Sequence, residues 1–216
     1  MPSDPTHLLG PHRYVVVEGP IGVGKTTLVH RMAERVRARL VLESVEENPF
    51  LAHFYQDRST FAFQTELFFL LSRFRQQQQV TQESLFAENI LSDYLFEKNL
   101  IFSGLTLSEA EWKLYLDIYE ALAPQVVTPD LVVVLDASLP LLVDRIHRRG
   151  RSFEASMDEA YLDALARRYR RAFQVYDAGP VLLVDTTHLD LSRDDDAVDL
   201  VMHEIALSTS GTRTLS

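Results

Sequence analysis

Residues 19–27 read Gly19-Pro20-Ile21-Gly22-Val23-Gly24-Lys25-Thr26-Thr27, directly after the apolar run Tyr14-Val15-Val16-Val17 and directly before a stretch of helical character. Strand, glycine-rich loop and helix in that order are the context in which a P-loop binds phosphate. Gly19, Gly22 and Gly24 let the backbone turn tightly so that successive N–H groups converge on phosphate oxygens, and the helix adds the positive end of its dipole. Lys25 is placed to reach the outer phosphates, and the Thr26 hydroxyl stands where such loops ligate Mg²⁺. The nine residues are the candidate nucleotide site, and the expected ligand is a magnesium nucleoside triphosphate.

Outward from this loop, short apolar runs at residues 14–17, 40–42, 89–91, 131–135 and 181–184 alternate with helix-length segments. That rhythm predicts an α/β fold built on a five-stranded parallel sheet flanked by helices, with ligands gathered at the carboxyl ends of the strands. A chain of 216 residues with 46% hydrophobic content suffices for one large core. The division expected is a flexible segment 1–12, one domain at 13–207 and a small, polar, flexible tail at 208–216. The net charge of −10 argues against nucleic acid as a partner. No run reaches the ~18 apolar residues of a membrane span, and nothing resembles a signal peptide. The absence of cysteine suits a cytoplasmic location and leaves no thiolate chemistry.

The second strand, Leu40-Val41-Leu42, ends in Glu43. A carboxylate leaving a buried strand beside a P-loop is placed to take the proton of a phosphoryl-acceptor hydroxyl, a role that typically contributes ~10²–10⁴-fold; the alternative is a solvated acidic loop, since Glu46 and Glu47 follow. The run ESVEENPFLAHFYQD from Glu43, with GPIGVGKTT upstream and RRGRSFE at 148–154 downstream, resembles the deoxyribonucleoside kinase family, its motifs arriving in the family order over residues 13–207. FQTELFFLLSRFR (63–75) and SDYLFEKNLIF (92–102) are most similar to the guanosine-type bacterial branch. The resemblance implies a P-loop NTPase fold with an arginine-rich lid, ATP as phosphoryl donor, Glu43 as base on the 5′-hydroxyl, and a homodimer.

The segment 61–79 reads as one helix, with Phe63, Leu67, Phe68, Leu70, Leu71 and Phe74 interspersed with polar residues. Family members carry a base-reading group and an arginine here, and Gln64 and Glu66 compete for the first role. At about 100° per residue, seven steps bring Glu66 and Arg73 within about 20° of one face, whereas nine steps put Gln64 opposite. Glu66 is preferred. A carboxylate offers two acceptors to the N1–H and N2 amino donors of guanine, whereas adenine and cytosine show a donor beside an acceptor and suit an amide. Arg73 on the same face is expected to donate to guanine, which predicts a deoxyguanosine preference.

The third strand exits into Asp93, assigned to organising Mg²⁺ through water or to capping the following helix. Where relatives place an arginine next, this chain has Tyr94, and Asn99 stands in place of a second acid. Lys98 is a substitute for the arginine, and the missing acid leaves Arg73 to the base. Arg145, Arg148, Arg149 and Arg151 crowd about Gly150. Planar guanidinium groups suit the transferring phosphoryl group, although cations also suit a helix C-terminus. Arg145, Arg149 and Arg151 match the family lid, and Arg148 is left to the helix dipole. By the same resemblance Glu154 and Tyr55 hold the sugar 3′-hydroxyl. Trp112, Leu116, Tyr119 and Leu122 read as a core or dimer face, and Asp136 as a helix cap. Rival readings are a kinase for deoxyadenosine or a broader set of deoxynucleosides, a nucleoside monophosphate kinase, and a non-catalytic nucleotide-binding module; the acids Glu43, Glu66 and Glu154 suit an uncharged acceptor best.

Overall fold

The computed structural model describes residues 8–83, 89–154 and 156–215. Strand β1 (Tyr14–Glu18) leads through the glycine loop into α1 (Lys25–Ala33). There follow β2 (Arg39–Val41), α2 (Leu51–Gln56), α3 (Arg58–Glu83), β3 (Ile90–Ser92), α4 (Lys98–Thr106), α5 (Glu109–Leu122), β4 (Leu131–Asp136), α6 (Leu139–Arg149), α7 (Glu159–Gln174), β5 (Val181–Asp185), α8 (Asp195–Leu207) and β6 (Thr212–Leu215). All pairings are parallel, in the order β2-β3-β1-β4-β5-β6. The strand order reverses direction about β1, so the glycine loop lies at the switch point where such sheets bind ligands.

The Val-rich strands are covered on both faces because alternate side chains enter opposite layers. Val15 and Val17 pack with Leu28 and Met32 of α1, Leu142 of α6 and Val198 of α8. Tyr14 and Val16 enter the other layer with Phe54 of α2, Ala62 of α3, Ile101 of α4 and Leu165 of α7. A third cluster joins Leu70 and Phe96 to Tyr115 and Tyr119 of α5, so that part of the expected core or dimer face is core. Asp194 caps α8 by accepting from the N–H groups of Asp196 and Ala197. Asp136 is not the cap of α6: Ser138 holds that position, and Asp136 accepts from Arg170 instead.

Two expected boundaries change. The sheet has six strands rather than five, because Thr212–Leu215, within the supposed flexible tail, pairs with β5 from Val181↔Thr212 to Val184↔Leu215. Its side chains are mostly exposed, so backbone pairing, with Leu215 against the core and Arg213 on Glu204, recruits it and no apolar pattern announces it. At the other end Leu9 and His12 are buried, so packing starts before residue 13; residues 1–7 of the segment expected to be flexible lie outside the described residues.

Gly19 has φ +142°, and a Cβ there would sit 2.3 Å from the carbonyl oxygen of Leu135 on β4. Gly19→Ala is therefore expected to cost at least ~1–3 kcal/mol and to abolish nucleoside triphosphate binding. Unaltered melting and triphosphate titration would show that the loop has room to spare.

Candidate active site

The glycine loop closes on itself through Lys25, whose ammonium donates to the carbonyls of Gly19 (2.8 Å) and Pro20 (3.1 Å). Burial lowers the Lys25 pKa to about 8, and the neighbouring Lys98 adds to the effect. Behind the loop, the fully buried Glu18 accepts from the N–H groups of Gly19 (2.7 Å) and Leu95 (3.0 Å), joining the P-loop to the exit of β3. The sequence reading missed Glu18, although a carboxylate ending an otherwise apolar buried strand was the available signal.

Two cavities open above the carboxyl edge of the sheet, of about 190 and 680 Å³. Gly22, Lys25, Thr26, Arg149 and Arg151 line both. These shared residues mark the junction where a group could pass from one ligand to the other. The smaller cavity is walled by Glu43, Tyr55, Thr65, Phe69, Arg73, Asp93, Lys98, Phe102, Glu154 and others. Thr27, Arg145 and the segment 187–193 belong to the larger alone.

Glu43 is the hub of the smaller cavity. Its Oε1 accepts from Nε of Arg73 (2.8 Å) and from Nη2 of the same guanidinium, and its Oε2 accepts from Nζ of Lys98 (2.8 Å). Burial alone would lift its pKa, but Lys98 and Arg73 outweigh that and hold it far below the ordinary carboxylate range. Arg73 also donates from Nη1 to Oδ1 of Asn99. The expectation that losing the second acid frees Arg73 is therefore corrected, because Glu43 and Asn99 engage three of its five N–H groups. One N–H on each terminal nitrogen remains for a ligand.

Asp93 accepts from the Thr26 hydroxyl through Oδ2 (2.5 Å) and from the Glu43 backbone N–H through Oδ1 (2.8 Å). It does not cap a helix, since α4 begins after Glu97. Glu66 is 2% exposed and sits on α3 between the wall residues Thr65 and Phe69, behind the cavity surface. Its Oε1 accepts from the Thr106 hydroxyl (3.1 Å), whereas its Oε2 is buried with no partner. Burial raises its pKa to about 7 against the opposing pull of Arg73. Thr106 carried no recognisable signal in the sequence.

Tyr55 stacks on Phe153 at 6.4 Å, and burial with the nearby Glu154 raises its pKa. Arg149 donates to both oxygens of the buried Glu154 (2.6 and 2.8 Å), and Arg151 pairs with Glu46 (2.8 Å). Arg145 departs from the expected grouping. It donates to the carbonyl of Val23 (3.0 Å), to the hydroxyl (3.0 Å) and carbonyl (3.2 Å) of Thr186, and to the carbonyl of Leu189 (3.4 Å). Its guanidinium thus ties the P-loop to the loop after β5 at the wall of the larger cavity.

The family model for deoxynucleoside kinases matches residues 15–209. The chain belongs to the deoxynucleoside kinase family. This kinase is 35% identical to a Bacillus subtilis deoxyguanosine kinase over 88% of its own length and 90% of the relative's. It is 32% identical to a Lactobacillus acidophilus deoxyadenosine kinase, over 88% and 94% of the two chains. Among solved structures, a deoxyadenosine kinase from M. mycoides with bound dCTP superposes with a TM-score of 0.77 at 25% identity, covering 88% of this chain and 97% of that one. The same enzyme with dATP gives 0.76. The fold is that of a P-loop NTPase, and the enzyme is an ATP-dependent deoxynucleoside kinase.

Proposed function

We propose that this kinase transfers the γ-phosphate of ATP to the 5′-hydroxyl of a purine deoxynucleoside, with deoxyguanosine preferred. The observation that carries the base preference is the buried carboxylate of Glu66, with one oxygen unpartnered, beside Arg73. A guanine supplies the two adjacent N–H donors that such a carboxylate lacks, and the unused N–H groups of Arg73 suit its O6 or N7. The 35% identity to a deoxyguanosine kinase supports the same choice. Relatives named for deoxyadenosine favour the second reading, a deoxyadenosine or broader kinase.

In this reading Glu43 takes the 5′-hydroxyl proton, and Tyr55 and Glu154 hold the sugar 3′-hydroxyl. Residues 19–27 cradle the donor phosphates, with Lys25 on the outer ones, and Arg149 and Arg151 stabilise the charge of the transferring group. Arg145 fixes the donor loop instead. Thr26 and Asp93, already sharing a hydrogen bond at the cavity junction, offer the hard oxygen atoms that Mg²⁺ selects. Bound there, the cation would neutralise charge on the phosphates. Among the described residues no group of three acids, histidines or cysteines could hold a metal by itself, so water and phosphate oxygens would have to complete the shell. A homodimer in the cytoplasm completes the proposal.

Thermal melting with deoxyguanosine, deoxyguanosine monophosphate and GTP added separately tests it. Stabilisation by the nucleoside added without any phosphate is expected, and kcat/KM should rank deoxyguanosine above deoxyadenosine and deoxycytidine. Stabilisation by the monophosphate with none by the nucleoside would favour a nucleoside monophosphate kinase, and stabilisation by GTP alone a non-catalytic nucleotide-binding module.

A further inference from the structure

The two oxygens of Glu43 are held unequally. Oε1 accepts two bonds from the planar fork of Arg73, itself pinned by Asn99. Oε2 accepts from a single group, the ammonium of Lys98. Releasing Oε1 requires an anchored guanidinium to leave, whereas releasing Oε2 requires only that one flexible four-carbon stem swing aside. Both acceptor sites of Oε1 are taken by Arg73, whereas Oε2 keeps one free beside Lys98, so Oε2 is the atom that can receive a proton, and it becomes the stronger acceptor once the Lys98 ammonium moves off it.

Lys98 also has a destination. Its side chain is only 5% exposed and lines the smaller cavity together with Lys25, Thr26, Arg149 and Arg151, four of the residues shared between the two cavities. It lies close enough to Lys25 to depress that ammonium's pKa. Two buried ammonium groups facing one junction repel each other until an anion arrives between them. Among the described residues the Lys98 ammonium makes one hydrogen bond and stands 5.5 Å from the centroid of the Phe102 ring, leaving two N–H donors for phosphate oxygens. Tyr94, next to Asp93, cannot supply a cation, and it is wholly buried.

We infer that Lys98 is an exchanging cation of the transfer step: it holds Oε2 of Glu43 in the absence of reactants and moves onto the transferring phosphoryl oxygens when they arrive. This inference rests on the reading of Glu43 as the base. In the step, the proton of the 5′-hydroxyl passes to Oε2, and the 5′-oxygen forms a bond to the γ-phosphorus. The bond from that phosphorus to the β,γ-bridging oxygen breaks, its electron pair leaving with the nucleoside diphosphate. Lys98 keeps all three protons throughout and contributes charge alone. It is thus a further catalytic residue, the counterpart on the acceptor side of Lys25 on the donor side.

Lys98→Met and Lys98→Arg test this, measured with the deoxynucleoside the wild-type protein phosphorylates best. Removing one such donor is expected to lower kcat ~10²–10³-fold with nucleoside KM within about threefold, and arginine should restore most of the loss. A Lys98→Met enzyme whose kcat stays within about threefold of wild type overturns the inference. So does a variant that raises KM with kcat intact, which would make Lys98 a binding residue. Should the methionine variant fail to fold, a crystal structure of the wild-type protein with nucleoside, ADP and aluminium fluoride decides: Nζ on fluoride supports the exchange, and Nζ still on Oε2 of Glu43 refutes it. Glu43→Gln retaining full kcat would instead overturn the reading of the base, so the two failures are distinguishable.

Discussion

Glu43→Gln is expected to lower kcat by ~10²–10⁴ while the nucleoside still binds near its normal affinity. The amide keeps an oxygen for Arg73 and so preserves the shape of the pocket, but it has no basic lone pair to receive the 5′-hydroxyl proton. The substitution has a second consequence that a base on an exposed loop would not show. Glu43 neutralises two buried cations, Arg73 at 3% and Lys98 at 5% side-chain exposure. Removing one partner of a buried ion pair typically costs ~3–5 kcal/mol, because the remaining charge stays desolvated. The variant should therefore melt well below wild type, and the nucleoside should recover part of that loss. Single-turnover kinetics at saturating ATP, paired with melting curves, separate the two effects. A turnover within threefold of wild type would exclude Glu43 as the base, whatever the melting curve does.

Glu66→Gln is expected to turn the purine preference round. An amide offers one acceptor and one donor, so guanine would meet a mismatched N–H pair while adenine would find its complement. At ~1–3 kcal/mol for each of two mismatched hydrogen bonds, the deoxyguanosine to deoxyadenosine ratio of kcat/KM should fall ~10²–10⁴-fold. The wild-type enzyme should foreshadow this on acidification. With its pKa raised to about 7, Glu66 is mostly ionised above that pH and presents two acceptors. Below it the carboxyl gains a proton and presents a donor beside an acceptor. The ratio should accordingly rise from pH 6 to pH 8 in the wild type and stay flat in the glutamine variant. The groups that set this titration are Arg73 on α3, Glu43 after β2, and Thr106 and Lys98 on α4, all acting on a fully desolvated carboxyl. An unchanged purine ratio in Glu66→Gln would show that another residue reads the base.

The sequence made the donor half of the site legible because a P-loop is local: eight or nine contiguous residues fix both backbone path and chemistry. The same holds for the alternating apolar runs, which located five strands. What it concealed was pairing between distant residues. Glu43, Arg73 and Asn99 were each singled out, yet that one carboxylate would occupy the guanidinium depended on β2, α3 and α4 converging. Lys98 carried a weak signal for the same reason, being a lysine at a helix start until the fold buries it against Glu43. Arg145 shows the same limit from another side. Its spacing matched its neighbours, but one turn of helix earlier it meets the carbonyls of the loop after β5 rather than the cavity junction. The sixth strand was hidden because an edge strand whose side chains face solvent needs no apolar code.

The carboxylate of Glu18 bolts the glycine loop to the segment that carries Asp93 and Lys98. The floor beneath the two cavities is thereby joined across β1 and the exit of β3 by one buried carboxylate. Closure over bound reactants is therefore expected to come from residues 149–154, beyond the anchor that Arg145 makes to Val23, Thr186 and Leu189. There Gly150, whose left-handed φ of +67° ends α6, parts the two cations, Arg149 paired with Glu154 and Arg151 with Glu46, which such a closure would have to release.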